Sequence, residues 1–210
     1  MTLNHHLSQQ PTLKLYPLKN YLFGVKDAQV EQDQNTGIKM QRLLEEYESQ
    51  GMRITVEGVL IVHDHSHPHV MLFKLAENFY KLPGNTLKPG QDEIQGLQSI
   101  LTQQLDPILL KNETKDVNQD IQVGELLGVW WRPNFETTMY PYTPAHIKRP
   151  KEIRKIYLLH LPKERLLSIP KNMKLLAVPL FELHENEARY GSQLATLPML
   201  LSRFNFVYES

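Results

Sequence analysis

The segment from Lys81 to Leu105, KLPGNTLKPGQDEIQGLQSILTQQL, most narrows what this chain can fold into. A short strand-like stretch enters a loop carrying Pro83, Gly84, Pro89 and Gly90. A helix is then predicted over Gln91 to Leu105, with Ile94, Leu97, Leu101 and Leu105 on one side. This is the outline of a phosphate-chemistry motif. Positions 100, 103 and 104 stand at i, i+3 and i+4, so they share one helix face. They are occupied by Ile100, Gln103 and Gln104. An amide oxygen carries no net charge and isoleucine offers no ligand, so this face cannot build an anionic cage for a divalent cation. Asp92 and Glu93 fall in the first helical turn, where they suit the helix dipole.

The flanking sequence supplies strands. RITVEGVLIV reads as a buried strand, HDHSHPH as a turn, VMLFKL as a second strand and NFYKLP as a short third one. VGELLGVWWR and RKIYLLHLP are further strands, separated by the Pro/Tyr-rich loop RPNFETTMYPYTPAHIKRP. A helix is expected from Thr36 to the stop at Gly51, and another over SQLATLPMLLSRF. LLAVPLFEL reads as a strand with a proline break, and DPILLKNETKDVNQD as a polar surface connection. Strands in the middle, with helices before, between and after, predict an α/β chain built as an α/β/α sandwich. Residues 1–35 read as an N-terminal arm packing on the domain. Residues 36–210 read as the domain itself, ending in a C-terminal helical extension.

Charge and composition exclude several functions. The 210 residues hold 23 basic and 23 acidic side chains, so no overall positive field gathers nucleic acid non-specifically. Any nucleic-acid partner must be recognised locally. The absence of cysteine removes disulfides, a thiol nucleophile and Cys-ligated zinc. The polar N-terminus does not resemble a signal peptide, and the apolar runs are too short to span a bilayer, so a soluble intracellular protein without membrane contact is expected.

Three features have rival readings. His63, His65, His67 and His69 alternate, as metal ligands on a strand would, but Ser66 and Pro68 favour a hairpin turn and no metal site is expected. KRPKEIRK, Lys148 to Lys155, suits nuclear import or phosphate contact, and equally the solvated start of a strand. Glu57 stands inside an otherwise apolar strand, where a carboxylate needs a partner, which makes it a functional candidate unaided.

GNTLKPGQDEIQGLQSILTQQL resembles the Nudix box. In register, Asn85 takes the leading glycine and Gln91 the first glutamate, Ser99 and Ile100 the Arg-Glu pair, Gln103 and Gln104 the Glu-Glu pair, and Asp106 the last glycine. In active Nudix enzymes that face holds Mg²⁺, which activates water against a diphosphate. TVEGVLIVH, FYKLPG, WWRPNFE, YPYTPAHI, PKNMKLLAVPLFEL and LSRFNFVY extend the likeness from about Leu15 to the C-terminus. Together they resemble the small Nudix-like subunit of the pre-mRNA 3′-end processing factor, cleavage factor Im.

The resemblance implies a Nudix fold with N- and C-terminal extensions that binds RNA without catalysis or cofactor. It implies a nuclear homodimer that reads a UGUA element in single-stranded RNA and recruits a larger cleavage factor Im subunit through that subunit's RNA-recognition domain. Poly(A) polymerase is a further candidate partner. The family's stacking aromatic falls on Phe79, beside Asn78 and Leu82. Its polar base-contacting positions fall on Glu31, Lys39 and Glu57, and a C-terminal pair on Tyr190 and Gly191. An aromatic face can stack an unpaired base, and carboxylates can accept from uracil N3–H or guanine N1–H and N2–H. Lys39 replaces the arginine of animal members and Asn78 a threonine, exchanging a planar fork for a point charge at the first. Two alternatives remain: a divergent dinucleoside-polyphosphate hydrolase, or a dimeric scaffold that has lost base readout.

Overall fold

The computed structural model describes residues 10–29, 36–76, 79–107 and 120–210. In chain order the elements are β1 (Thr12–Leu15), a 3-10 turn (Leu18–Asn20), β2 (Tyr21–Lys26), α1 (Thr36–Gln50), β3 (Arg53–Asp64), β4 (His67–Ala76), β5 (Phe79–Lys81), β6 (Gly84–Thr86) and α2 (Glu93–Leu105). There follow β7 (Gln122–Arg132), β8 (Glu152–His160), β9 (Arg165–Pro170), β10 (Lys174–Pro179), the short helices α3 (Leu180–Leu183), α4 (Glu187–Tyr190), α5 (Ser192–Ala195) and α6 (Leu197–Leu201), and β11 (Asn205–Tyr208).

A mixed seven-stranded sheet runs β10-β4-β3-β8-β7, with β5 added on β4 and β6 on β3. Only β3 and β8 run parallel within it; its other pairs are antiparallel. The sheet is buried on both faces because its central strands are apolar at successive positions. Val59 and Ile61 of β3, Val70 and Leu72 of β4, and Ile156 and Leu158 of β8 point into one core, capped by α3, α5, α6 and β1. Their neighbours Leu60, Val62, Met71, Phe73, Tyr157 and Leu159 point into the other, against Leu97, Leu101 and Leu105 of α2. This is the sandwich expected from the pattern, with the period of two sorting side chains between its layers.

The ends depart from the sequence reading. The arm contributes strands: β1 pairs parallel with β11 at the C-terminus, and β2 pairs parallel with β9, a strand not read from the sequence. The stretch expected as one closing helix breaks into α5 and α6, with Thr196 between them and Pro198 at the second position of α6. Proline cannot supply an amide to continue the first helix, but it fits the opening turn of a new one. The histidine stretch is a hairpin whose two turn residues, His65 and Ser66, have positive φ of 48° and 64°. Most of the polar connection around residues 108–119 lies outside the described residues.

Candidate functional site

The face of the sheet that carries Val59 and Ile61 changes character towards one end. The same alternation that buries those two residues places Glu57, Thr55 and Arg53 next along β3. On β8 the matching positions after Leu158 and Ile156 are Arg154 and Glu152, and on β7 Arg132 stands in register with Glu152. Apolar rows thus run directly into a row of charges on three adjacent strands.

Those charges form one network. Glu152, 1% exposed, accepts from Arg132 Nε at 2.7 Å, from the Thr55 hydroxyl at 2.9 Å and from Arg154 Nη2 at 3.3 Å. Burial alone would raise its carboxyl. Arg154 and Arg132, with a smaller contribution from Lys39, hold it down to about 2. Arg154 also donates from Nη1 to Gln193 Oε1 of α5 at 2.8 Å, and the same nitrogen lies 3.5 Å from Glu57 Oε1.

Glu57 is treated differently. Its side chain is 12% exposed, and the long contact with Arg154 is its closest charged or hydrogen-bonding contact among the described residues. Burial pushes its carboxyl above the usual range, against the pull of Arg154, and the charges of Lys39 and Lys81 also favour ionisation. A nearly buried carboxylate with cations around it and little hydrogen bonding of its own is an acceptor suited to N–H donors.

The loop before α2 sets the shape beside this carboxylate. Gly84 pairs with Glu57 in the β3–β6 ladder and has φ of +152°. A Cβ there would lie 2.2 Å from the Val56 carbonyl oxygen and 2.6 Å from Glu57 Cα, so only glycine fits. Gln104 fixes this glycine: its Oε1 accepts from Gly84 N–H at 2.9 Å and its Nε2 donates to Gly84 C=O at 3.1 Å. Asp92 caps α2 by accepting from Gln95 N–H at 2.8 Å, while Glu93 binds Lys155 and the Tyr157 hydroxyl, both at 2.6 Å. The acids of the first turn are therefore engaged in structure.

The sequence-predicted residues distribute as follows. Lys39 and Glu57 come together with Glu152 through their mutual electrostatic influence. Phe79 is 53% exposed and lies five residues before Gly84. Leu82 is buried in the core, so its side chain offers no free surface. The Tyr190 ring is also buried. It tilts against Tyr80 with centroids 4.8 Å apart, and its hydroxyl donates to Glu182 at 2.5 Å. Gly191 is exposed and stands two residues before Gln193. Glu31 and Asn78 lie outside the described residues. Sequence reasoning missed Glu152 and Arg154, because KRPKEIRK read as nuclear import, phosphate contact or a solvated strand start, and Gln193, which lay in the stretch read as a closing helix. Extending the alternation back from Leu158 and Ile156 would have placed Arg154 and Glu152 on the same face of their strand as those two core residues.

The Nudix profile described as nucleotide hydrolase matches residues 11–204. The pre-mRNA cleavage factor Im 25 kDa subunit 2 of Arabidopsis thaliana is 44% identical over 95% of this chain and 98% of its own length. The chain belongs to the cleavage factor Im small-subunit family, within the Nudix superfamily. Subunit 1 of the same plant is 46% identical over 91% of this chain and 84% of its own length. The cleavage and polyadenylation specificity factor subunit 5 of Dictyostelium discoideum is 41% identical over 94% of this chain and 96% of its own. In this chain the Nudix helix supports the loop beside Glu57 through Gln104.

Proposed function

We propose that this chain is the RNA-reading small subunit of the pre-mRNA 3′-end cleavage and polyadenylation machinery. It acts in the nucleus as a homodimer, binds a UGUA-type single-stranded element and joins a larger cleavage factor Im subunit. The names of its relatives support the processing role. The observation that carries the RNA reading is the state of Glu57: a carboxylate largely withdrawn from water, flanked by cations and poor in hydrogen bonds, paired in the β3–β6 ladder with Gly84, five residues after the exposed Phe79. A base edge supplies the N–H groups this acceptor lacks, and an aromatic face adjacent in the chain can stack the base.

Lack of catalysis is part of the same proposal. At the Nudix metal-ligand positions, Ile100 brings no donor atom and Gln104 spends its amide on Gly84. Titration of a UGUA-containing oligonucleotide against a scrambled one tests the sequence reader, with tighter binding of UGUA expected. Equal affinity for both would reduce the chain to a scaffold, and Mg²⁺-dependent turnover of dinucleoside polyphosphates would restore the hydrolase.

A further inference from the structure

Arg154 touches both carboxylates of the charged row. Its Nη1 is shared between Gln193 at 2.8 Å and Glu57 at 3.5 Å, and its Nη2 reaches Glu152 at 3.3 Å. A guanidinium has five N–H donors in a fixed plane. Its contacts among the described residues leave one Nη2 hydrogen unassigned, and its Nε is buried without a partner. The Arg154 side chain keeps 15% of its surface open and that of Glu57 keeps 12%, and their nearest charged atoms stand 3.5 Å apart. Gln193 and Glu152 anchor the fork from two directions, which limits its rotamer freedom before any ligand arrives.

We propose that Arg154 is a specificity-determining residue of the RNA site, forming with Glu57 a donor–acceptor pair that matches the Watson–Crick edge of guanine. This rests on the RNA-reading function proposed above. Guanine presents two adjacent N–H donors, N1–H and N2–H, beside one carbonyl, O6. The two oxygens of Glu57 accept the N–H pair, and Arg154 donates to O6. Uracil offers one ring N–H between two carbonyls and would leave one carboxylate oxygen unmatched. Adenine in the same pose turns its N1 acceptor to Glu57 and its N6 amino donor to Arg154, so neither charged group is matched. Gln193 acts as a positioning residue: its Oε1 accepts from Arg154 while its Nε2 donates to Met139 Sδ at 3.8 Å, and the amide held between them sets the plane of the guanidinium.

The test is a set of titrations with three oligonucleotides: one containing UGUA, one with adenine in place of the guanine, and one with inosine, which lacks only the N2 amino group. Each is bound to the parent chain, to Arg154→Lys and to Gln193→Leu, with thermal melting run in parallel. Arg154→Lys keeps the counter-charge for Glu57 and Glu152, and Gln193→Leu keeps the arginine itself, so at least one variant reports on a folded site. The parent is expected to prefer guanine over adenine by ten-fold or more and over inosine by several-fold. Both variants are expected to reduce the guanine-to-adenine ratio at least five-fold while changing affinity for the adenine oligonucleotide little. A parallel loss for all three oligonucleotides, or an unchanged ratio, makes Arg154 purely structural and overturns the proposal. Inosine binding as tightly as guanine overturns the guanine assignment. Failure of the parent to prefer UGUA over a scrambled sequence is a separate result, which removes the RNA reading itself.

Discussion

The side-chain amide of Gln104 grips both backbone polar groups of Gly84, accepting from its N–H at 2.9 Å and donating to its C=O at 3.1 Å. Only an amide can do this: its oxygen and nitrogen face a backbone donor and acceptor in the order a neighbouring strand would offer them. Gly84 in turn lies against Glu57. The helix that carries the Nudix pattern thus acts on the candidate site through one glutamine and one glycine.

Replacing Gln104 with leucine leaves two backbone groups without their partner and should destabilise the fold by roughly 2–4 kcal/mol. Gln104→Glu keeps the acceptor for Gly84 N–H but sets a carboxylate oxygen against the Gly84 carbonyl, so it should also be less stable than the parent at neutral pH. Urea denaturation of both variants measures this. Parent-like stability in both would mean that the clamp contributes nothing.

Gly84→Ala adds a methyl where the Val56 carbonyl and the Glu57 backbone already stand within 2.6 Å. The backbone conformation there also disfavours any side chain. A loss of about 2–4 kcal/mol is expected from strain of this type. Affinity for UGUA RNA should fall as well, since relief of the clash moves Glu57. The pair of measurements, stability and RNA affinity, distinguishes a fold defect from a site defect.

Glu152 links the site to acid sensitivity. Its carboxyl is held at about 2, below its ordinary value of 4.5. A carboxylate depressed in the folded state contributes stability that is present above the unfolded value and is lost as pH falls through the folded one. The loss therefore runs from about pH 4.5 down to about pH 2 and amounts to roughly 3 kcal/mol. Glu57, whose carboxyl is raised by burial, has the opposite sign and offsets part of it. Denaturation curves between pH 6 and pH 2 should show a shallower acid decline in Glu152→Gln than in the parent. Equal declines would remove Glu152 as the cause.

Phe79 is exposed at the start of β5, so its loss should leave stability within about 0.5 kcal/mol of the parent. If it stacks a base, Phe79→Ala should weaken UGUA binding by roughly 1–3 kcal/mol, about five- to 150-fold. Parent-like RNA affinity in a folded Phe79→Ala chain would show that the platform lies elsewhere.

Much of the frame was legible in the residues alone. The apolar runs in RITVEGVLIV and RKIYLLHLP gave two strands, and the spacing of Leu97, Leu101 and Leu105 gave the packed side of α2. The substitutions at 100, 103 and 104 already removed the carboxylates of the Nudix helix, because ligand chemistry depends on residue type and local periodicity. Glu57 stood out for the same reason, as a charge inside an apolar run.

Tertiary structure decided the rest. No local pattern says that β2 pairs with β9 or β1 with β11, since those partners lie far apart in the chain and pairing depends on where the folded core brings their edges. The role of Gln104 also follows from contact: a glutamine on a helix is equally at home in water, and only the approach of Gly84 turns it into a clamp. Arg154 and Glu152 changed most between sequence and structure. Within KRPKEIRK they are two more charges in a solvated-looking run. Parallel pairing of β8 with β3 buries them beside Glu57, where a low-dielectric setting makes their mutual geometry matter. Sequence by itself determined that helix positions 100, 103 and 104 carry no carboxylate; the packing of three strands decided where the buried charges meet.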